Sequence, residues 1–180
     1  MKEYYELFLR IVSKLKDIPL LAMRLILADS FWKAGVMKWD NMDGTIWWFG
    51  SLGIPLPTLN AYMAATTEVA GAILLILGLG TRLISIPLKI VLLVAIATVH
   101  AGNGWLAIAE SDAPGVAERL GAAKEILKEH GNYEWLTGAG NFVVLNNGVE
   151  FTVIYIVMLL MLLSSGAGKF SVDYILSSKK

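Results

Sequence analysis

The chain has 180 residues, of which 56% are hydrophobic and only 17% are charged, and its formal net charge at pH 7 is zero. Soluble domains carry about 25% charged residues, so this composition indicates an integral membrane protein, organised as a single domain over residues 1–180. The balanced charge gives no reason to expect nucleic acid as a partner. The sequence has no cysteine, which excludes disulfides, thiol redox pairs and thiolate metal sites within it. Any redox couple must therefore come from a bound molecule or a partner.

The first segment, residues 4–15, places apolar side chains at helical spacing with lysines beside them. This pattern is typical of an amphipathic helix that lies on a membrane surface. The alternative is a short helix packed on the rest of the chain.

Four long apolar stretches follow, and each is of a length that crosses or nearly crosses a bilayer. The first has about 20 residues, which extend about 30 Å as a helix. Small residues in the second allow close helix packing, and they leave homo-oligomer formation open. The predicted spans cover about residues 18–37, 61–79, 83–99 and 148–165.

Two connections between the spans are long. Residues 39–60 read as a loop rich in Trp, Gly and Pro, and residues 101–147 form one large extramembrane segment with an amphipathic helix starting near Pro114. The sequence thus predicts an all-α fold, a polytopic membrane four-helix bundle with an extramembrane helical loop between helices 3 and 4.

The distribution of Lys and Arg predicts the orientation of the bundle. Eight of these residues lie in the N-terminal segment, the turn at Arg82 and the C-terminal tail, which includes Lys179 and Lys180, whereas four, Lys38 among them, lie on the other side. The positive-inside rule then puts both termini in the cytoplasm and the large loop outside, which in a bacterial inner membrane is the periplasm.

Charged residues inside the spans are the main functional signal, because each costs roughly 2.5 to 3.5 kcal/mol at mid-membrane. Asp29 and Lys33 stand four residues apart, share one helix face and can neutralise each other. At about 1.5 Å per residue, Glu68 of the second span reaches a similar depth, and His100 and Glu150 mark the outer ends of the third and fourth spans. We expect a polar pocket open to the outside, lined by Asp29, Lys33, Glu68, His100 and Glu150, that binds a ligand or handles protons.

Other interpretations of these charges remain open. The same acids and lysine could form a buried ion-pair network that only sets the helix register. Arg24 lies near the cytoplasmic end of its span, so its long side chain is expected to extend to the interface. His100 has no second histidine at ligand spacing, and no metal site is predicted.

Three segments resemble a known family. They are FWKAGVMK in the first span, GIPLPTLNAYMAATTEVAGAILLILGLGTRL from the loop to the second turn, and GAGKFSVDYIL at the C-terminal end. Their pattern is similar to that of the DoxX-like family of small four-helix membrane proteins. The motif positions that we single out are Gly35, Lys38, Gly71, Arg82 and Asp173.

The extramembrane segment, residues 101–147, which we call the outer segment, resembles one branch of this family more narrowly. NGWLAIAE, AKEILKEHGNYEWL and GNFVVLNNGVEF look like the HvfX-type branch, which is associated with the maturation of ribosomally made copper-binding peptides. The wider family includes a small subunit of a thiosulfate:quinone oxidoreductase. The resemblance therefore implies copper or a quinone as candidate cofactors, although it supplies no catalytic residues.

Three functions are compatible with this sequence. The first is an inner-membrane accessory protein of a copper-binding peptide maturation or copper-homeostasis system, whose partners are the bilayer and a copper-binding peptide or its maturation enzymes. The second is a quinone-linked membrane subunit of an oxidoreductase. The third is a structural scaffold or small transporter, in which the buried charges only hold the helices together.

Overall fold

The structure is a computed structural model that describes residues 1–178, except for the side chains of Glu3, Ile11 and Lys14. Lys179 and Lys180, which contributed to the predicted basic tail, lie outside the described residues. Nearly all regular structure in the described chain is helical. The helices are α1 (Lys2–Lys14), α2 (Asp17–Asp40), α3 (Met42–Ser51), α4 (Pro57–Leu77), α5 (Thr81–Ala95), α6 (Val116–His130), α7 (Tyr133–Thr137), α8 (Glu150–Ser165) and α9 (Val172–Ser177).

The chain divides into two compact units, one of Met1–Val94 with Ile154–Lys180 and one of Ala95–Val153. In the first unit, α2 and α4 form the most extensive helix pair. Leu27, Leu75 and Leu88 are fully buried in its core. Two glycines permit the close packing, because a Cβ added at Gly35 would lie 2.7 Å from Val69 Cγ2, and one at Gly71 would lie 2.7 Å from Leu88 Cδ2.

Among the described residues, two helices are long and apolar enough to cross a membrane, Pro57–Leu77 and the combined stretch Thr81–Asn103, and Glu150–Ser165 is a shorter apolar helix. The second stretch continues α5 through a π-helical segment, Ile96–His100. Helix α2 is the longest helix of the described chain, and it carries Arg24, Asp29 and Lys33. The predicted all-α membrane fold is confirmed, while the bilayer edges along these helices stay a prediction.

The prediction that residues 39–60 form only a loop is wrong, because this stretch contains α3 and the first turn of α4, which begins at Pro57. Asn41 caps the helix, its Oδ1 accepting a hydrogen bond from the Gly44 N–H at 3.2 Å. Phe49 and Thr45 are buried on the inner face of α3, which packs against α4. Gly44 and Gly50 therefore lie within a short helix, which its cap and its contacts with α4 stabilise.

Helix α1 exposes its apolar side chains. Tyr4, Leu7, Phe8 and Val12 all keep between 44% and 79% of their surface. An exposed apolar face is what an interfacial helix presents to lipid. Attachment of residues 4–15 to the membrane surface remains a prediction.

The second unit contains α6 and α7 between two extended segments. Ala109 donates its N–H to the Val144 carbonyl at 2.9 Å, and Gly148 donates to the Leu106 carbonyl at 3.0 Å. A Cβ at position 148 would lie 2.5 Å from the Leu106 oxygen, so only glycine allows this approach. The segment between α5 and α8 thus contains helices, and backbone hydrogen bonds hold its two ends together. Its position outside the membrane stays a prediction.

Candidate functional site

A buried ion pair joins the two most closely packed helices. Lys38 Nζ near the end of α2 lies 2.7 Å from Glu68 Oε2 in the middle of α4, and the two side chains are only 13% and 4% exposed. Taking two charges out of water costs several kcal/mol per ion unless the geometry compensates. Such a pair inside a membrane bundle is a functional-site candidate by default.

Close packing at Gly35 brings the pair together. A Cβ at this position would also lie 3.0 Å from the Glu68 Cβ, so a larger residue would push α4 away from α2. Gly35 lies one turn before Lys38, so it sets the helix separation close to the ion pair. Gly35 and Lys38, two of the motif positions, and Glu68 of α4 thus form one structural element.

Both members of the pair keep unused hydrogen-bonding capacity. The Lys38 ammonium has three N–H donors. It donates one to Glu68 and one, at 3.3 Å, to the Ala34 carbonyl, so one remains. The Lys38 ammonium contacts Oε2 of the Glu68 carboxylate, so the ion pair does not use Oε1. The pair therefore keeps one ammonium N–H and one carboxylate oxygen that are not used between Lys38 and Glu68.

Asp29 and Lys33 also form an ion pair, as predicted, but on a different face of α2. Lys33 Nζ lies 2.7 Å from Asp29 Oδ2, and the two side chains are 72% and 63% exposed. The structure therefore does not join this pair to the buried acid: Glu68 takes Lys38 as its partner instead.

The remaining predicted pocket residues lie in the second unit, where both contact backbone groups. His100 Nδ1 donates to the Asn147 carbonyl at 2.9 Å. Glu150 Oε2 accepts the Ala107 N–H at 3.0 Å. These two contacts join residues at the beginning and the end of the segment between α5 and α8.

The expectation that Arg24 extends to the interface is wrong. Its side chain is fully buried, with 1% exposed. Its guanidinium donates to the carbonyls of Ala167 at 3.1 Å and Phe170 at 2.7 Å. Burial is tolerated because these carbonyls and the nearby Asp173 carboxylate compensate the charge. Gly78 makes room for the side chain, since a Cβ there would collide with the guanidinium.

Asp173 links the C-terminal motif to the turn between α4 and α5. Its two carboxylate oxygens accept the N–H groups of Gly80 at 2.7 Å and Thr81 at 3.0 Å. The carboxylate thus caps the start of α5 from a residue more than 90 positions away in sequence. Arg82 in the same turn donates to the Ser164 carbonyl at 3.0 Å. Asp173 and Arg82 therefore fasten the C-terminal segment, residues 166–178, to the helices.

The Lys38–Glu68 pair is not among the predictions from sequence, because the charge count places Lys38 with the residues on the outer side of the bundle. The helical period contains the signal. Arg24, Phe31 and Lys38 are spaced seven residues apart and share the inner face of α2, whereas Asp29 and Lys33 each point ~160° away from Phe31 at 3.6 residues per turn. The angular position of each charged residue relative to Phe31 therefore singles out Lys38, and not Asp29 or Lys33, as a charge on the inner face of α2.

No group of three or more His, Asp or Glu side chains that could hold a metal ion occurs among residues 1–178.

Comparison with known proteins gives a consistent result. The DoxX family profile matches residues 19–101. The chain is 36% identical to "Putative oxidoreductase CatD" of Bacillus subtilis over 101 residues, which are 56% of this chain and 74% of that protein. It is 27% identical to a Haemophilus influenzae protein described as uncharacterized, over 87% of this chain and 82% of that protein. It is 39% identical to the inner membrane protein YphA of Escherichia coli, over 37% of this chain and 48% of that protein.

No solved structure matches this chain. The profile runs from the first turn of α2 through α3, α4 and α5 and includes both residues of the buried ion pair. Together with the similarity to CatD, this match shows that the chain belongs to the DoxX family.

Proposed function

We propose that the chain is an integral inner-membrane subunit of an oxidoreductase system, in which the Lys38–Glu68 pair contacts a quinone and handles its protons. The observation that carries this proposal is the buried ion pair with its spare donor and acceptor. The names of CatD and YphA point to an oxidoreductase and to the inner membrane, respectively.

The chemistry of the pair fits a quinone. A quinone carbonyl accepts hydrogen bonds, and its reduction consumes protons that must be delivered in an apolar environment. Lys38 has an N–H left to donate to such a carbonyl, and Oε1 of Glu68, which the ion pair does not use, can bind and release a proton. Because the sequence has no cysteine, the electrons would come from a partner protein.

The test is the quinone content of the purified protein. The full chain and Glu68→Gln are extracted in mild detergent, and bound quinone is measured after organic extraction. We expect about one quinone per wild-type chain and loss of it in the variant. Asp29→Asn, which breaks the exposed ion pair, should keep the quinone; if it does not, the site extends to Asp29 and Lys33 as the sequence predicted. A wild-type protein without quinone would contradict the proposal.

A second candidate function is an accessory role in a copper-binding peptide system. Support comes from the resemblance of the outer segment to the HvfX-type branch and from its exposed apolar side chains, among them Trp105, Trp135 and Leu145. Such side chains are typical anchors for a peptide partner. Growth of a deletion strain over a series of Cu²⁺ concentrations tests this role, with complementation by the wild type or by a Trp105→Ala, Trp135→Ala variant. Equal complementation by both would contradict it.

A further inference from the structure

A basic cleft lies at the end of the first unit where the C-terminal segment is fastened. It has a volume of about 570 Å³. Its walls are the residue before α2, the turn between α4 and α5, the segment that follows α8, and α9. The cationic side chains that line it, Lys16, Arg82 and Lys169, are all exposed.

The two carboxylates of the cleft are already engaged. Asp17 Oδ1 accepts the Lys169 N–H at 3.0 Å, and both oxygens of Asp173 accept N–H groups at the start of α5. Neither of the two cleft lysines forms an ion pair within residues 1–178. The cationic groups therefore remain available to an external anion.

Arg82 offers the most directional group. It spends one N–H on the Ser164 carbonyl, which leaves most of its five donors unused. A guanidinium presents these donors as a rigid fork that matches the oxygens of a phosphate. Gly166 faces this group, and a Cβ there would stand 3.4 Å from Arg82 Nε, so glycine keeps that side of the fork open.

Apolar surface adjoins the cations. Leu83, which lines the cleft, is 75% exposed. Phe170 exposes more than half of its surface, and Tyr174 exposes nearly half. The amphipathic helix α1 ends two residues before Lys16. A cationic cleft bordered by exposed apolar side chains matches a molecule with an anionic head and an acyl chain.

We propose that this cleft binds the phosphodiester headgroup of an anionic phospholipid, with Arg82, Lys16 and Lys169 as the ligands of the phosphate and Leu83 beside the acyl chain. The site is independent of the Lys38–Glu68 pair. It gives the fastened C-terminal segment a role at the membrane surface.

Native mass spectrometry of the full chain in detergent tests the proposal. The protein is titrated with phosphatidylglycerol, with phosphatidylcholine and, in a separate arm, with inorganic phosphate. We expect one retained phosphatidylglycerol per chain and no comparable retention of phosphatidylcholine. Arg82→Gln should weaken binding by roughly tenfold, as expected for the loss of a charge-assisted hydrogen bond. Arg119→Gln, which removes an arginine from the outer segment, should have no effect.

A second variant guards against a folding defect in Arg82→Gln. Lys16→Gln, Lys169→Gln changes side chains without ion pairs and should also weaken binding by at least tenfold, whereas Lys124→Gln should not. Wild-type affinity in the double lysine variant, or equal retention of the two lipids, would overturn the proposal. Displacement of the lipid by millimolar inorganic phosphate would support the phosphate contact, and binding of inorganic phosphate without phosphatidylglycerol would overturn the assignment to a lipid.

Discussion

The replacement Lys38→Met tests the central feature of the site, the buried ion pair. At an N···O distance of 2.7 Å, the attraction between the two charges is about 6 kcal/mol at an effective dielectric constant of ~20. Part of this is offset by the cost of desolvating both groups. Removing one partner leaves the other charge buried and uncompensated, which costs about 3 to 5 kcal/mol. We expect the free energy of unfolding to fall by this amount.

Unfolding by sodium dodecyl sulfate in mixed micelles, followed by the fluorescence of the six tryptophans, measures the change. Lys128→Met is the matched control, because Lys128 Nζ lies 2.8 Å from Glu125 Oε1 with both side chains more than half exposed, and its loss should not be measurable. The double variant Lys38→Met, Glu68→Met should recover most of the stability. If Lys38→Met is as stable as the wild type, water reaches the pair in the membrane. The pair is then not a desolvated ion pair, and its burial no longer supports a functional site.

Three further replacements test the packing around this site and the fastened C-terminal segment. Gly35→Ala places a Cβ 2.7 Å from Val69 Cγ2 and should destabilise the protein by about 1 to 3 kcal/mol in the same unfolding assay; unchanged stability would mean that α2 and α4 can separate freely. Asp173→Ala removes the cap of α5, at a cost of about 1 to 2 kcal/mol, and should speed amide exchange at its first residues, and unaltered exchange would contradict the capping role. Arg24→Met removes the donor to the Ala167 and Phe170 carbonyls, the first of these hydrogen bonds being buried, and should speed proteolysis of the C-terminal segment, whereas wild-type resistance would show that the segment is held by other contacts.

The membrane architecture could be predicted from sequence because it depends on local composition and on the spacing of apolar residues. Long apolar runs form helices in a bilayer whatever their partners are, since every backbone group must be hydrogen-bonded within the segment. Helix α4 shows both the success and its limit: the apolar run predicted a span over residues 61–79, and the helix ends at Leu77 with Gly78 in the left-handed conformation. Its start differs, because Pro57, which the prediction places in the preceding loop, stands at the first position of the helix, where proline is tolerated.

The pairing of charges could not be predicted in the same way. The i, i+4 spacing correctly paired Asp29 with Lys33, because both lie on one helix and the contact is local. Glu68 offered no local partner, and depth alone grouped it with the wrong lysine. Rotation about the helix axis, which depth does not describe, separates the exposed pair from Lys38.

The sequence by itself thus determined the class of protein, its apolar helices, the family resemblance and the local ion pair. Only the tertiary structure decided that Lys38 neutralises Glu68, that Arg24 is buried under the C-terminal segment, and that Asp173 caps α5. The physical reason is the range of the contacts: these three join residues 30 to 146 positions apart. Such contacts depend on which helix faces meet, and a periodic pattern on one helix carries no information about the partner that the other helix presents.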